Sequence, residues 1–316
     1  EMIRIIIALA HNAGIPVWVD AKAPDANKYQ GCDLVKPNRV EFLNMINENN
    51  GCLDTQIGEK AIKLCLDNNN KNIIVTLGAG GMVLSDNVGN VEVIPALQVD
   101  CRDVSGAGDT AFAYLAVGAL SGYSLHDSVV LANVAAGISV EKQGATPISI
   151  CDIMFKFNKK IEWGNVPLLV EYIKEKNVVF TNGCFDIIHS GHIYSLKQAR
   201  EYGDLLIVGV NSDESIRRIK GKNRPINDIE ERIAVLECFD FVDYIIPFNN
   251  DTPMDLIRML KPNVLVKGKD YIDKEVVGAE YVKSYGGRVI LTDVLKGHST
   301  TETIERIKTM ENHNGE

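Results

Sequence analysis

The sequence predicts an α/β protein of two domains, the second built on a doubly wound parallel sheet. Short apolar runs of strand length recur along the 316 residues and alternate with segments of helical spacing. In the second half the alternation is regular, which is the pattern of a parallel sheet that binds its ligand at the strand C-terminal ends. Between Ile148 and Asn177 the pattern weakens and Lys156, Lys159, Lys160, Glu162 and Asn165 gather around Trp163-Gly164. The expected division is a first domain over 1–155, a linker over 156–177 and a second domain over 178–316.

In the first domain, strands are predicted at Val17 to Ala21, Ile73 to Leu77, Met82 to Leu84 and Val91 to Ile94, and helices at Glu59 to Leu66, Thr110 to Leu120 and around Asn133 to Gly137. The run Ile5 to Ala10 is too short to span a bilayer and leads into His11-Asn12 rather than a cleavage site, so it reads as the end of a packed helix. The chain opens on Glu1-Met2 and enters at once what reads as the middle of an α/β domain, as a fragment would. In the second domain, strands are predicted at Val178 to Thr181, Leu205 to Asn211, Val242 to Pro247, Val264 to Lys267 and Arg288 to Thr292. Helices are predicted at Ile193 to Glu201, Glu230 to Cys238, Asp255 to Leu260 and Lys274 to Tyr285.

The net charge of −9 lacks the basic field that nucleic acid or an anionic membrane surface requires, so the expected partners are small molecules. Seven cysteines, with no Cys-x-x-Cys pair and an odd total, fit a reduced cytoplasm. Of these, Cys184 lies inside a motif.

That motif is Thr181-Asn182-Gly183-Cys184-Phe185-Asp186-Ile187-Ile188-His189-Ser190-Gly191-His192. Val178-Val179-Phe180 precede it as a buried strand, and Ile193, Leu196 and Ala199 follow at helical spacing, so the histidines fall at a strand-to-helix turn. Free N–H groups and the helix dipole attract an oxyanion there. Glycines let backbone approach a triphosphate, and two imidazoles can donate to charge that develops during group transfer. An isolated histidine at a helix start is a cap or a surface residue. Two histidines on one face, with two glycines and a strand upstream, point instead to a phosphate site, with Thr181 to Asp186 around the nucleotide and His189 and His192 as catalysts. No metal-ligand cluster is read from the sequence.

Asp103 to Phe112 contains a second candidate. Backbone N–H groups at Gly106, Ala107 and Gly108 could bind a transferring phosphoryl group while Asp109 accepts a hydroxyl proton; the bland reading is a glycine turn with an acidic first-turn residue. Lys220, Arg224 and Lys267 could gather phosphates or form a solvated basic face. Asn211 and Asp213 end a strand where ribose contact or a simple turn would serve. Ser299-Thr300-Thr301-Glu302 is a capping-box pattern that can also meet phosphate. On their own, Asn38 to Glu41 read as a helix start and Gly78 to Gly81 as a hairpin turn.

The histidine motif resembles that of the cytidylyltransferase-like nucleotidyltransferases, a Rossmann-like fold whose His-x-Gly-His signature binds an NTP and stabilises attack on its α-phosphate. Gly106-Ala107-Gly108-Asp109, together with Lys36 to Glu41, Thr76 to Gly81 and Asn133 to Gly137, resembles the ribokinase-type sugar kinases. That resemblance implies Asp109 as base, Asn38, Arg39, Val40 and Glu41 around Mg-ATP, and Gly78 and Asn133 near the nucleotide. The sugar-binding strands and lid of that family have no counterpart here, so a partial ribokinase-like domain, with a kinase of doubtful function, is expected. The order of the two halves resembles the bifunctional heptose 7-phosphate kinase and heptose 1-phosphate adenylyltransferase family of ADP-heptose synthesis. Val210 to Asp213, Lys220-Gly221, Arg224-Pro225, Glu231-Arg232, Leu265 to Gly268, Asp270-Tyr271 and Ser299 to Thr301 carry that resemblance. It implies ATP and Mg²⁺, a sugar phosphate acceptor, a role in lipopolysaccharide core precursor synthesis, and a cytoplasmic homodimer. Asp240-Phe241-Val242-Asp243 lacks the basic residue of the Arg-Tyr-Val-Asp segment in CTP-using relatives, which favours ATP. A CTP-dependent polyol-phosphate transferase and a non-catalytic partner subunit remain the alternatives.

Overall fold

The computed structural model describes residues 2–48, 52–269 and 276–293, and the chain divides after Ile153 into two compact units. The first contains α1 (Met2–Asn12), β1 (Trp18–Asp20), β2 (Leu34–Lys36), α2 (Arg39–Met45), α3 (Asp54–Asp67), β3 (Asn72–Thr76), β4 (Met82–Asp86), β5 (Val91–Ile94), α4 (Ala107–Leu120) and α5 (Leu125–Val140), and α6 (Ile150–Phe157) runs across the division. The sheet order is β1-β2-β3-β4-β5; β1, β2 and β3 are parallel, and β4 is antiparallel to both β3 and β5. Side chains alternate across a strand. Ile73 and Val75 accordingly enter one core with Val35, Phe42 and Ile57, while Ile74 enters the other with Leu34, Leu115 and Val129.

Two features depart from the sequence reading. Strand β2 escapes a periodicity search because it is three residues long and ends in lysine, although it is bonded on both edges. The run Ile5 to Ala10 is helical but not packed as expected: Ile7 is buried, whereas Ile3, Ile5, Ile6 and Leu9 are exposed. Aliphatic residues occupy every side of α1, and Ile7 alone among them reaches the core. The end of α1 is fastened to the start of β2 by Asp33, which lies 2.8 Å from His11 Nε2 and 2.6 Å from Lys71 Nζ and accepts the Val17 N–H at 2.7 Å.

The second unit contains α7 (Val166–Tyr172), β6 (Val178–Gly183), α8 (Ser190–Arg200), β7 (Leu205–Asn211), α9 (Asp213–Lys220), α10 (Ile229–Glu237), β8 (Tyr244–Phe248), α11 (Met254–Leu260), β9 (Val264–Gly268), α12 (Ala279–Ser284) and β10 (Arg288–Thr292). All five strands are parallel, in the order β10-β9-β6-β7-β8. Val178 to Phe180, Leu206 to Val210 and Val264 to Val266 are continuously buried, as a sheet covered on both faces requires. The winding reverses between β6 and β9, so a crevice is expected at the C-terminal end of β6. Helix α9 was not legible: it is mostly charged, and it is held by a Ser212 cap, acidic residues in its first turn and basic ones in its last. Residues 156–177, read as the connection, carry the end of α6, a 3-10 turn at Trp163–Asn165, and α7, with Val166, Leu169 and Ile173 buried. No helix among the described residues is long and apolar enough to cross a membrane.

Burial pushes the Asp33 carboxyl up, but Lys71, the Val17 N–H and His11 outweigh it and hold it at about 2. The folded pKa is thus depressed below an unfolded value of about 3.9, so the contribution is complete above that value and is lost as pH falls through the folded one. Asp33→Asn should lower the urea unfolding free energy by about 1–3 kcal/mol at neutral pH. The same variant should show a shallower loss of stability between pH 4 and 2 than the parent chain.

Candidate functional site

Strand β6 ends at Gly183, and the chain turns through residues 184–189 into α8, with His189 at the N-cap position. Phe185 takes φ 50°, a left-handed conformation unusual for a side-chain-bearing residue, and its ring is buried. That ring fills the space a Cβ on Gly183 would need, 3.2 Å away, and its centroid lies 5.3 Å from that of His192. Three residues span nearly one helical turn, so His189 and His192 share a face; their rings stack at 3.9 Å with 30° between planes. Burial lowers the His192 pKa to about 4, aided by His189 and by the charge of Lys220. His192 is therefore neutral at pH 7, and its Nδ1 is buried without a hydrogen-bond partner among the described residues. A cavity of about 680 Å³ opens beside the turn, lined by Phe185, Asp186, Ile188, Asn227, Arg232 and Phe239 among others.

Most charges around this turn are engaged by the protein itself. Asp186 is buried, 2.5 Å from the Arg224 guanidinium, and accepts the N–H groups of Ile226 (2.7 Å) and Asn227 (3.1 Å). Lys267, also buried, donates to the Asn182 carbonyl at 2.9 Å and to its Oδ1 at 2.5 Å. Asn211 uses its amide on Ser215 Oγ at 3.0 Å. Asp213 lies 2.6 Å from Arg232. Thr181 is buried in β6, Cys184 is half-buried, and Lys220 is exposed at the end of α9. Ser299 and Thr300 lie outside the described residues, as do Asp270-Tyr271 and the residues 274–275 expected to begin a helix.

Arg232 entered the sequence reading only within the Glu231-Arg232 pair of the family resemblance, with no role assigned to it. Its side chain is fully buried, and it donates to the carbonyls of Cys184 (2.5 Å), Asn211 (2.9 Å) and Asn227 (3.2 Å) while meeting Asp213. It thereby joins the histidine turn, the end of β7 and the loop before α10. Its burial had one local signal, an arginine on the inward face of an otherwise apolar helix stripe, Ile229, Ile233 and Leu236.

In the first unit, Gly106 caps α4 with φ 79°, and Asp109 is exposed in the first turn. Asp103 holds the preceding loop by accepting the Ser105 and Gly144 N–H groups at 2.9 and 3.0 Å. Asn38 and Glu41 form a reciprocal capping box at the start of α2, Arg39 is 2.8 Å from Asp54, and Val40 is exposed. A cavity of about 270 Å³ is lined by Gly78, Ala79, Gly81, Leu97, Ala111 and Asn133 among others. Gly78 and Gly81 do form a hairpin turn between β3 and β4, and a Cβ on Gly81 would lie 2.1 Å from the Ile94 carbonyl. Asn133 Nδ2 donates to the Pro95 carbonyl at 2.7 Å and so shapes the cavity wall. The structure adds Asp20 and places Lys36, the first residue of the Lys36 to Glu41 motif: Lys36 is buried, 2.6 Å from Asp20 and 3.9 Å from where a Cβ on Gly108 would stand. Lys22 lies 3.0 Å from Asp20 and 3.7 Å from Glu41. Its pKa is raised chiefly by the hydrogen bond to Asp20, with burial opposing and Asp109 among the charges that add.

Comparison with known proteins follows the same division. The family model for pfkB family carbohydrate kinases matches residues 1–151, and the cytidylyltransferase-like model matches residues 180–306. Two relatives named bifunctional protein HldE, from Alcanivorax borkumensis and from Campylobacter jejuni serotype O:2, are 41% and 42% identical over 313 residues. The alignments take in 96% and 98% of this chain, and 65% and 66% of the relatives. The chain thus spans just under two thirds of their length. A ribokinase from Thermotoga maritima is 25% identical over 48% of this chain and 52% of its own, with a TM-score of 0.42. A lipopolysaccharide core biosynthesis protein from Thermoplasma volcanium is 30% identical over 39% of this chain and 99% of its own, with a TM-score of 0.33.

The His192 pKa lies below the ordinary value of about 6.5, so the unfolded chain takes up a proton that the folded chain refuses, and stability falls as pH drops from there towards about 4. In NMR titrations, His192 should stay neutral down to about pH 4 and gain a higher pKa when inorganic tripolyphosphate is added; an unchanged titration would count against an anion seated over the imidazoles. Arg232→Met should lower the unfolding free energy by about 3–5 kcal/mol, because it strands buried carbonyls and Asp213. A loss below about 1 kcal/mol in urea would show that these acceptors find other partners.

Proposed function

This chain is a homologue of the bifunctional HldE proteins across most of its length, and from that premise we propose that its second unit is an adenylyltransferase of ADP-heptose synthesis. The reaction is ATP with D-glycero-β-D-manno-heptose 1-phosphate, giving ADP-heptose and pyrophosphate, in the supply of lipopolysaccharide core precursors. The first unit is, in this reading, a carbohydrate-kinase region acting at heptose 7-phosphate. The observation that carries the reading is the stacked His189 and His192 pair at the start of α8, at the switch point of a five-stranded parallel sheet.

In the mechanism, the triphosphate lies along the Gly183 to His192 turn, with the α8 dipole and the free N–H groups directed at it. An oxygen of the sugar phosphate attacks the α-phosphorus in line, and the bond to the bridging oxygen of the pyrophosphate breaks. The nucleophile is already anionic, so no strong base is required and the protein's work is positioning and charge stabilisation. His189 and His192 donate to the phosphates, and Lys220 adds a positive charge from the end of α9. Arg232, Lys267 and the Asp186–Arg224 pair hold the surrounding backbone. Mg²⁺ would enter with ATP and neutralise phosphate charge; among the described residues Asp186 and Asp213 are already paired with arginines. In the first unit, ATP occupies the cavity beside Gly78 and Asn133, Lys36 faces the phosphoryl group at Gly106 to Gly108, and Asp109 takes the proton of the sugar hydroxyl. The proposed assembly is a cytoplasmic homodimer, which light scattering of the purified chain would test.

Pyrophosphate release with heptose 1-phosphate should depend on ATP; preference for CTP would favour the polyol-phosphate alternative, and no turnover with either would favour a non-catalytic subunit. His189→Ala and His192→Ala should each reduce kcat by about 10²–10³-fold, roughly 2.7–4 kcal/mol. Near parental turnover in both variants would reject the assignment. Phosphate transfer to heptose 7-phosphate should disappear in Asp109→Asn.

A further inference from the structure

A second concavity lies along the same edge of the sheet, away from the histidine turn. It has a volume of about 320 Å³ and is lined by Trp163, Ser212, Pro247, Phe248, Asn249 and Asn250. Its position follows from pairing. Lys160 forms a parallel bridge with Ile245, through the Ile161 N–H to the Ile245 carbonyl (2.9 Å) and the Ile245 N–H to the Lys159 carbonyl (2.7 Å). The segment at 159–161 therefore runs alongside edge strand β8, and three residues beyond the bridge it brings Trp163 level with the C-terminal end of β8. The indole is 40% exposed there, so the segment presents an aromatic surface instead of burying it.

The rest of the lining is held in place by hydrogen bonds. Ser212 donates to Asn249 Oδ1 at 2.5 Å, Ser215 Oγ donates to the Asn250 carbonyl at 3.0 Å, and Arg218 bonds both the Asn249 carbonyl and Asp251. A half-exposed aromatic face in a mostly apolar concavity with fixed walls suits the C–H face of a sugar ring, which packs on the indole. The spacing agrees. Neighbouring strands lie about 4.8 Å apart, so the end of β8 is roughly 10 Å from the end of β6, the scale of a sugar ring with its phosphate. Ser212 also sits between Asn211 and Asp213, both bound by Arg232, so this wall is joined to the histidine turn.

We propose that this concavity is the acceptor subsite, in which Trp163 stacks on the ring of the sugar phosphate while its phosphate reaches the triphosphate at His189 and His192. The inference rests on the adenylyltransferase reading above and adds the residues that select the acceptor.

The test uses the full chain. Its two tryptophans are Trp18 and Trp163, so in a Trp18→Phe background the fluorescence reports Trp163. Heptose 1-phosphate should change that emission saturably, and inorganic phosphate should not. Trp163→Ala should raise KM for the sugar phosphate by about 10-fold, leave KM for ATP within about 2-fold, and be largely rescued by Trp163→Tyr. If the parent chain turns over and Trp163→Ala, with unchanged Tm, keeps its acceptor KM, the subsite is wrong. If the parent chain ignores heptose 1-phosphate but another sugar or polyol phosphate gives the saturable emission change, the subsite stands and the heptose reading falls. Silence of Trp163 towards every sugar phosphate overturns the subsite.

Discussion

A buried guanidinium holds the C-terminal end of the sheet of the second unit together. Five parallel strands terminate side by side, and their last carbonyls need partners where the sheet gives way to turns. Arg232 meets this need from α10: four of its donors reach the ends of β6 and β7, the loop before α10, and Asp213. A fully desolvated cation is expensive, and only such complete pairing offsets the expense. The consequence is mechanical, since the turn carrying His189 and His192 cannot shift without disturbing the start of α9.

Other cations share that task. Lys267 fixes Asn182 from β9, and Arg224 is bound to Asp186. Side chains that a composition-based view assigns to phosphate are largely committed to shaping the backbone around it, which leaves oriented N–H groups and two imidazoles as the surface offered to an anion. Burial keeps His192 neutral at pH 7, so it offers one donor rather than a full charge until an anion arrives. The first unit follows a related logic, with Asp103 holding the loop ahead of α4 and buried Lys36 balanced by Asp20 beside the same glycines.

The segment between the repetitive halves of the sequence has a structural role as well. By pairing with β8 at Ile245 it covers part of an otherwise open sheet edge, which is a standing hazard for unwanted strand addition. The same pairing sets the position of Trp163. A stretch that reads as a connection thus contributes both an edge guard and a wall of the concavity beside Phe248.

By itself the sequence determined the α/β class, the positions of most strands, the strand-to-helix turn bearing two histidines, and the glycine-rich start of α4, because each is written within about ten consecutive residues as periodicity or turn chemistry. Tertiary structure alone decided the partners: Arg232 lies 48 residues from Cys184 and 21 from Asn211, Lys267 lies 85 from Asn182, and Trp163 lines one concavity with Ser212 through the pairing of its segment with β8. No local pattern encodes which distant carbonyl a lysine or arginine will meet, since that depends on which strand ends the topology sets next to one another. The same physics hid β2, three residues long, and α9, a mostly charged helix whose one fully buried apolar side chain is Ile216.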